Sequence, residues 1–413
     1  MQIYLVGGAV RDALLNIPVK DRDWVVVGAT PEEMLTLGYE QVGADFPVFL
    51  HPQNHEEHAL ARTERKSGKG YQGFDCQFSP DITLEEDLLR RDLTINAMAQ
   101  DENGAIIDPY NGRKDLDNKI LRHVSPAFAE DPLRVLRVAR FAARYAPLGF
   151  TVAEETMKLM QQMVNNGELD FLVAERVWTE TQRALGEKTP EVYFQVLREC
   201  SALKIWFAEL AALFGIPQPE QHHPEIDCGI HALLSLKAAV KLCDKTSVRW
   251  AALIHDLGKA LTPEEELPRH IAHEKRGLKP IKNLCKKLKA PKDHQELALL
   301  SCEFHTHVHR AFELKGSTLN KLFNQSDAWR RPERFEELLL VSEADARGRT
   351  GLEDQPYPQA DFCRAALKQA ASITAKDMLA KGLQGAAIRE GLDQARGQHL
   401  QQWKEIWLQE KQK

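Results

Sequence analysis

The sequence predicts an α+β protein: a small mixed β-sheet region, then helices to the C-terminus. Three observations carry this. Within residues 1–120, short β-rich runs at 3–6, 24–27, 46–50 and 105–108 are separated by helical patterns such as 31–38 and 85–99. After Ser125 a helical period dominates. And the first 28 residues place a Gly-Gly turn, LVGGAVRD at 5–12, ahead of two aspartates spaced i, i+2 in DRDWVVVG at 21–28.

The 413 residues allow two or more domains with real cores. A net charge of −6 excludes nucleic-acid binding by overall charge, though not by local basic patches. Seven cysteines form no CxxC pair, which points to a reduced, cytoplasmic chain rather than a disulfide framework or zinc ribbon. No apolar run approaches the roughly 20 residues that cross a membrane. The N-terminus moves straight into LVGGAVRD, leaving no room for a signal peptide. The three prolines of GIPQPEQHHPEID mark 215–227 as a linker. SGKGYQG at 67–73 reads as a mobile loop, and Trp403 and Trp407, spaced i, i+4, read as packing residues.

Asp21 and Asp23 are expected on one face of a strand, since side chains alternate with period two. Two carboxylates so placed clamp a pair of divalent ions, which two-metal phosphoryl chemistry needs. Mg²⁺ suits, because it takes one or two carboxylates plus phosphate oxygens. Gly7 and Gly8 lack Cβ atoms, so backbone N–H groups can approach phosphates. Arg11 follows at the expected helix start, with a fork suited to a triphosphate.

LVGGAVRD, DRDWVVVG, LRRDLTINAMA (89–99) and EDPLRVLRVARF (130–141) stand in this order and together resemble the class II nucleotidyltransferases. That group comprises tRNA CCA-adding enzymes and bacterial poly(A) polymerases. The resemblance implies a small β-sheet nucleotidyltransferase head followed by an all-α neck, body and tail. It implies Asp21 and Asp23 as Mg²⁺ ligands and Gly8, Arg11 and Arg91 around the nucleotide. A third carboxylate often lies on a neighbouring strand, and Glu57 is the candidate. ERVWTE (175–180) resembles the family's next motif, thought to be structural.

Asp131 is a good N-cap and Pro132 a good first helical residue, so a helix is expected to start there. Arg134, Arg137 and Arg140 recur every three residues and share one broad side of it. Cytosine and adenine both present an exocyclic amine beside a ring-nitrogen acceptor; guanine and uracil present a carbonyl beside an N–H. A carboxylate accepts from the amine and a guanidinium donates to the ring nitrogen. Asp131 with Arg134 would therefore admit C and A and reject G and U without a nucleic-acid template. The resemblance places Arg137 and Arg140 at the nucleotide or its triphosphate.

A second constellation follows the linker: His231, the adjacent His255 and Asp256 in WAALIHDLGKA, and Asp345. Imidazoles mixed with carboxylates suit Zn, Mn, Ni or Fe better than Mg alone. This ordered set, with Lys259 in HDLGK, resembles the HD metal-dependent phosphohydrolases. His273, Glu274 and His305 are further ligand candidates, whereas His307 and His309 are expected to be exposed. The implied chemistry is hydrolysis of a phosphomonoester, 2′-nucleotide or 2′,3′-cyclic phosphodiester by metal-activated water. Resembled HD-bearing CCA enzymes imply Ni²⁺; nothing in the residues selects it.

Lysines and arginines at 275, 276, 279, 282, 286, 287, 289 and 292 form a basic run, and Arg62, Arg65, Lys66 and Lys69 a second strip. Either can hold RNA phosphates. The expected organisation is a catalytic head at 1–125, a helical neck and body at 126–214, the linker at 215–227, an HD domain at 228–350 and a helical tail at 351–413. The expected partners are tRNA, CTP and ATP, with no membrane, in a monomer or homodimer. The competing readings are a poly(A) polymerase, an HD hydrolase with a nucleotide-sensing head, and an RNA-binding scaffold.

Overall fold

The computed structural model describes residues 1–42, 48–66 and 74–411. The chain divides into two compact units, Met1–Trp206 and Phe207–Lys413. The division therefore falls ahead of 215–227, and that segment belongs to the second unit.

The first unit opens with β1 (Gln2–Val6), α1 (Gly8–Leu14), β2 (Asp23–Val27), α2 (Pro31–Thr36), β3 (Glu40–Val42), β4 (Val48–Leu50), β5 (Glu57–Leu60) and a hairpin of β6 (Arg62–Lys66) and β7 (Phe74–Phe78). Then come α3 (Leu84–Leu89), β8 (Ala99–Gln100), β9 (Ile106–Ile107), α4 (Gly112–Asp117) and β10 (Ile120–Leu121). Seven strands form one sheet in the order β3-β4-β5-β2-β1-β8-β9. β2 and β5 pair in parallel while the other pairs are antiparallel, so the sheet is mixed. Period-two alternation sends Val25 to a core with Val6, Leu84 and Leu88, and Val26 to one on the opposite face with Met34, Phe49 and Leu60.

Two expectations change here. The helical pattern at 85–99 is not one helix: α3 ends at Leu89, a 3₁₀ turn covers Thr94–Asn96, and β8 follows. The break has a local cause. Asp92 turns its carboxylate back to the N–H of Leu93 (2.8 Å) and the amide of Asn96 (2.8 Å), competing with helical bonding. Asp21, in turn, lies outside the strand. The β1–β2 ladder ends at the Val6–Asp23 pair, because Gly7, at φ 66°, turns the chain into α1. Asp21 is exposed and has no ladder partner there. The 67–73 loop and residue 46 lie outside the described residues.

The helical remainder of the unit is α5 (Leu133–Tyr145), α6 (Glu154–Asn165), α7 (Ala174–Leu185), α8 (Glu191–Glu199) and α9 (Leu203–Trp206), with β11 (Thr151–Val152) pairing with β10. α5 starts one residue later than expected, with Pro132 at the cap position. The Asp131 carboxylate still accepts from the Leu133 N–H at 3.0 Å, so it satisfies an orphan donor of the first turn.

The second unit is helical throughout its described residues: α10 (Ala208–Ala211), α11 (Cys228–Leu242), α12 (Thr246–Ile254), α13 (His273–Leu288), α14 (Lys292–His309), α15 (Gly316–Gln325), α16 (Pro332–Arg347), α17 (Pro358–Ala371), α18 (Ala375–Ala380) and α19 (Ala386–Lys411). Trp403 and Trp407 of α19 pack on Phe362, with ring centres 5.3 and 5.0 Å away, and help cover a core that includes Phe323 and Phe335. No helix among the described residues is long and apolar enough to cross a membrane.

The HDLGK turn lies directly on the start of α13. A Cβ at Gly258 would stand 1.9 Å from the His273 carbonyl oxygen and 2.6 Å from the Gly277 nitrogen. Gly258→Ala must push this turn off α13 and is expected to cost about 1–3 kcal/mol. Calorimetry should show a lower melting temperature; an unchanged transition would contradict the close approach.

Candidate active site and metal centre

A cleft of about 590 Å³ opens in the first unit where β1 ends and β2 begins, lined by nine arginines and four carboxylates. Its floor comes from strand register. Asp23 on β2 and Glu57 on β5 are direct parallel partners, so both side chains leave the same face, and both line the cleft. Asp21 does not line it. Gly7 closes the end of β1, where a Cβ would meet Nη1 of Arg91 at 2.8 Å; a side chain there would displace the guanidinium.

Most of these arginines lean on an acid. Arg11 is buried, pairs with Asp12 at 2.7 Å, donates to Asn96, and lies 5.2 Å from the Tyr145 ring centre. Arg144 reaches the other Asp12 oxygen at 3.0 Å. Arg91 pairs with Asp87 at 3.2 Å, and its buried Nε has no hydrogen-bond partner. Arg137 pairs with Asp92 at 2.7 Å and Arg140 with Glu180 at 2.5 Å. Burial would push the Asp92 carboxyl up, but the Arg137 charge and the Asn96 amide hold it well below the usual carboxylate range. Asp92 thus stays ionised, and the four acids together fix the guanidinium forks around the cleft.

Asp131 and Arg134 both line the cleft but do not face each other as a free pair. Asp131 accepts from Arg176 at 3.1 Å. Arg134 donates to the carbonyls of Ala127 (2.8 Å) and Arg90 (2.6 Å). ERVWTE, expected to be structural, supplies Arg176 to the cleft lining and Glu180 as the anchor of Arg140. Their i, i+4 spacing on α7 puts them on one helix face, which the sequence already carried. Of the basic strip at the head, Arg62 lines the cleft, while Lys69 and the side chains of Arg65 and Lys66 lie outside the described residues.

The second unit brings His231, His255, Asp256 and Asp345 together, all buried. His231 Nε2 lies 3.0 Å from Asp345 Oδ1, and His255 Nε2 lies 3.3 Å from Asp256 Oδ2 and 3.5 Å from Asp345 Oδ2. On the other side of Asp256, Oδ1 is 3.2 Å from His273 Nε2 and 3.5 Å from His305 Nε2. Asp256 therefore turns one oxygen to each of two histidine groups. Lys259 braces it at 2.6 Å.

The ring tautomers reveal what this cluster wants. Nδ1 of His255, His273 and His305 lies 2.8, 2.8 and 2.9 Å from the carbonyls of Ala252, His270 and Ser301. A carbonyl only accepts, so each Nδ1 carries a proton and, in the neutral ring, each Nε2 presents a lone pair inward. His273 Nε2 then faces His305 Nε2 at 3.2 Å, lone pair to lone pair. His255 Nε2 and Asp256 Oδ1 are buried without a hydrogen-bond partner. Such groups fit a bound cation between them. The two carboxylates favour positive charge at this point: burial opposes a charge on His255, yet Asp256 and Asp345 push its pKa up to about 10, so a bound cation would take the place of a proton at Nε2. Burial, in contrast, holds His305 well below the usual histidine range, neutral as a ligand must be.

Two histidines expected to be exposed are half-buried. His309 joins the cluster, with Nε2 2.6 Å from Asp345 Oδ2 and Nδ1 2.7 Å from the Tyr357 hydroxyl. His307 sits against Phe304, off the centre. Helix geometry explains both: 305 and 309 share a face of α14, while 307 points roughly 180° away from the mean of that face. Glu274 bonds Thr306 at 2.8 Å.

Three family models match the chain: "Poly A polymerase head domain" over residues 3–122, "Probable RNA and SrmB- binding site of polymerase A" over 149–214, and "HD domain" over 229–349. Among curated relatives, the multifunctional CCA protein of Hahella chejuensis is 63% identical over 98% of this chain and 96% of its own length. That of Pseudoalteromonas atlantica is 60% identical over 96% and 98%. Among solved structures, the Thermotoga maritima CCA-adding enzyme complexed with tRNA matches with TM-score 0.64 at 20% identity, over 97% of this chain and 87% of that one. The Bacillus stearothermophilus CCA-adding enzyme with CTP matches with TM-score 0.61 at 23% identity, over 99% and 94%. These last two likenesses are of fold.

Asp92 gives a pH test. Its carboxyl is depressed in the folded protein, so its stabilisation is full above the ordinary value of 3.8 and lost as pH falls through the lower folded value. Asp92→Asn is expected to destabilise the head by about 1–3 kcal/mol at pH 7. The gap from wild type should shrink in unfolding curves taken below pH 4; a pH-independent gap would argue against the ion pair.

Proposed function

The chain belongs to the multifunctional CCA protein family, and on that premise we propose how its two sites work. The enzyme adds C, C and A to the 3′ end of tRNA from CTP and ATP, releasing pyrophosphate, and carries a second, metal-dependent phosphohydrolase activity. The observation that carries the first activity is the pairing of Asp23 with Glu57 beneath a cleft of anchored arginines.

In the head, Asp23, Glu57 and Asp21 are the carboxylates assigned to Mg²⁺. Bound Mg²⁺ supplies charge that activates the terminal ribose 3′-OH and steadies the leaving pyrophosphate. The Gly7–Gly8 turn lets backbone N–H groups approach the phosphates. Arg11, Arg91, Arg137 and Arg140 present guanidinium forks to the triphosphate. The unpartnered Nε of Arg91 supports this reading.

Base choice falls to Asp131. Its oxygens serve the Leu133 N–H and Arg176, and a carboxylate offers about four lone-pair sites, so it can still accept from an exocyclic amine. The donor to the ring nitrogen is Arg134, as the helix spacing implies. Arg176 is the second reading, favoured by its direct contact with Asp131. Asp131→Ala should erode the preference for C and A more than triphosphate affinity. Uniform loss across all four nucleotides would count against a base-reading carboxylate.

In the second unit, His231, His255, Asp256 and Asp345 are assigned to one cation, and His273 with His305 to a second, with Asp256 shared between them. Nitrogen and oxygen donors together suit a transition ion, and the family resemblance favours Ni²⁺. Bound metal supplies an activated water for hydrolysis of phosphomonoesters, 2′-nucleotides or 2′,3′-cyclic phosphodiesters. Lys275, Lys279, Lys282 and Lys286 line one exposed face of α13 and are suited to RNA phosphates. Each site is built from a single chain, so a monomer suffices. Six unpaired cysteines among the described residues fit a reducing cytoplasm.

Incubation with tRNA lacking its CCA end tests the whole reading. Labelled CTP and ATP should be added until C-C-A and no further; an open-ended A ladder from ATP alone would identify a poly(A) polymerase instead. Asp23→Ala and Glu57→Ala should each slow addition by about 1,000-fold or more, several kcal/mol of transition-state stabilisation. His255→Ala should remove phosphatase activity and spare CCA addition. Loss of both activities in His255→Ala would refute the assignment of separate sites.

A further inference from the structure

The five histidines in reach of Asp256 and Asp345 are not oriented alike, and His309 turns Nδ1 to the Tyr357 hydroxyl at 2.7 Å. His255, His273 and His305 turn Nδ1 to backbone carbonyls. His231 turns Nδ1 to a side chain: Oε1 of Glu225, at 2.9 Å. We propose that Glu225 is a positioning residue that holds His231 with Nε2 aimed at the metal, so that 215–227 is a structural part of the hydrolytic site. This rests on the metal-site reading given above.

The carboxylate is built in rather than adventitious. Its side chain is 2% exposed. Oε1, beside His231 Nδ1, accepts from Nδ1 of His223 at 3.0 Å and from Gln218 at 3.3 Å, and Oε2 accepts from the Thr350 N–H at 3.3 Å. Its place in the chain is held against backbone preference. The next residue, Ile226, has φ 61°, a left-handed conformation that a β-branched side chain rarely adopts. Gln218 N–H donates to the Ile226 carbonyl at 2.8 Å, and Ile226 N–H donates to the His223 carbonyl at 2.9 Å, so both backbone groups of Ile226 are pinned. Strain kept in this way at a cluster of polar groups points to a functional constraint.

The same segment braces the other side of the centre. Gln218 accepts from Lys259 Nζ at 2.9 Å, and Lys259 pairs with Asp256 at 2.6 Å. A carboxylate behind a ligating imidazole fixes the Nδ1–H tautomer, aligns the ring and strengthens Nε2 as a donor. Backbone carbonyls do this more weakly for the other rings. Glu225 therefore sets how tightly His231 takes the ion.

Titration of Ni²⁺ into the metal-stripped full-length chain tests this, with His255→Ala as the background. Glu225→Ala is expected to weaken Ni²⁺ binding about 10–100-fold. Glu225→Gln, which keeps an oxygen beside Nδ1 but removes the charge, should fall between the two while keeping the wild-type melting transition. It stays measurable if the alanine variant fails to fold. His223→Ala should leave the number of ions bound per chain unchanged. Wild-type affinity in both Glu225 variants would overturn the proposal, as would loss of one ion per chain in His223→Ala, which would make His223, Glu225 and His231 a ligand set of their own. A wild-type chain that takes up no Ni²⁺ above background would instead overturn the metal-site reading beneath it.

Discussion

Buried charge must be paired, and both sites of this protein are solutions to that constraint. In the head, Asp12, Asp87, Asp92 and Glu180 are buried so that Arg11, Arg91, Arg137, Arg140 and Arg144 can be held around one cleft. The acids neutralise part of the positive charge and spend some of each fork, leaving a preorganised electropositive surface for a polyphosphate. In the second unit the balance is left incomplete. Asp256 and Asp345 are surrounded by imidazoles whose protons point outward, so the centre is rich in lone pairs and is completed by a cation. One unit is built to receive an anion and the other to receive a metal.

Backbone geometry sets where those charges stand. The parallel register of β2 and β5 makes Asp23 and Glu57 neighbours although 34 positions separate them in the sequence. Asp92 both ends the helical run after α3 and anchors Arg137, so the feature that breaks the expected helix is the one that positions the cleft. Gly258 has the corresponding role in the second unit: only a bare Cα lets the His255–Asp256 turn lie on the start of α13, beside His273.

Much of this was legible in the residues. The Gly-Gly turn, the Asp-x-Asp pair, the arginine-bearing helix and the HD pair each need local sequence only, and the structure places them, Asp21 apart, in two clusters. Helical spacing alone would also have separated His309 from His307 and paired Arg176 with Glu180. What local pattern did not reveal was partnership. Asp131 and Arg134 are three residues apart, yet one bonds Arg176 and the other two distant carbonyls. The segment at 215–227, whose prolines read as a linker, folds back to place Glu225 on His231.

By itself, the sequence determined the fold class and the chemistry on offer, because periodicity and residue type are local properties that survive in any conformation. It named an anion-binding turn, a carboxylate strand, a basic helix and a set of metal-type ligands. Only the tertiary structure decided which of those groups meet. Strand register, ring tautomer and the partner of each guanidinium depend on contacts between residues far apart in the chain, and no spacing rule reports them. That is why Glu57, a candidate from resemblance, was joined to Asp23 only by strand register, and why Glu225 became visible only when the ring of His231 was seen to face it.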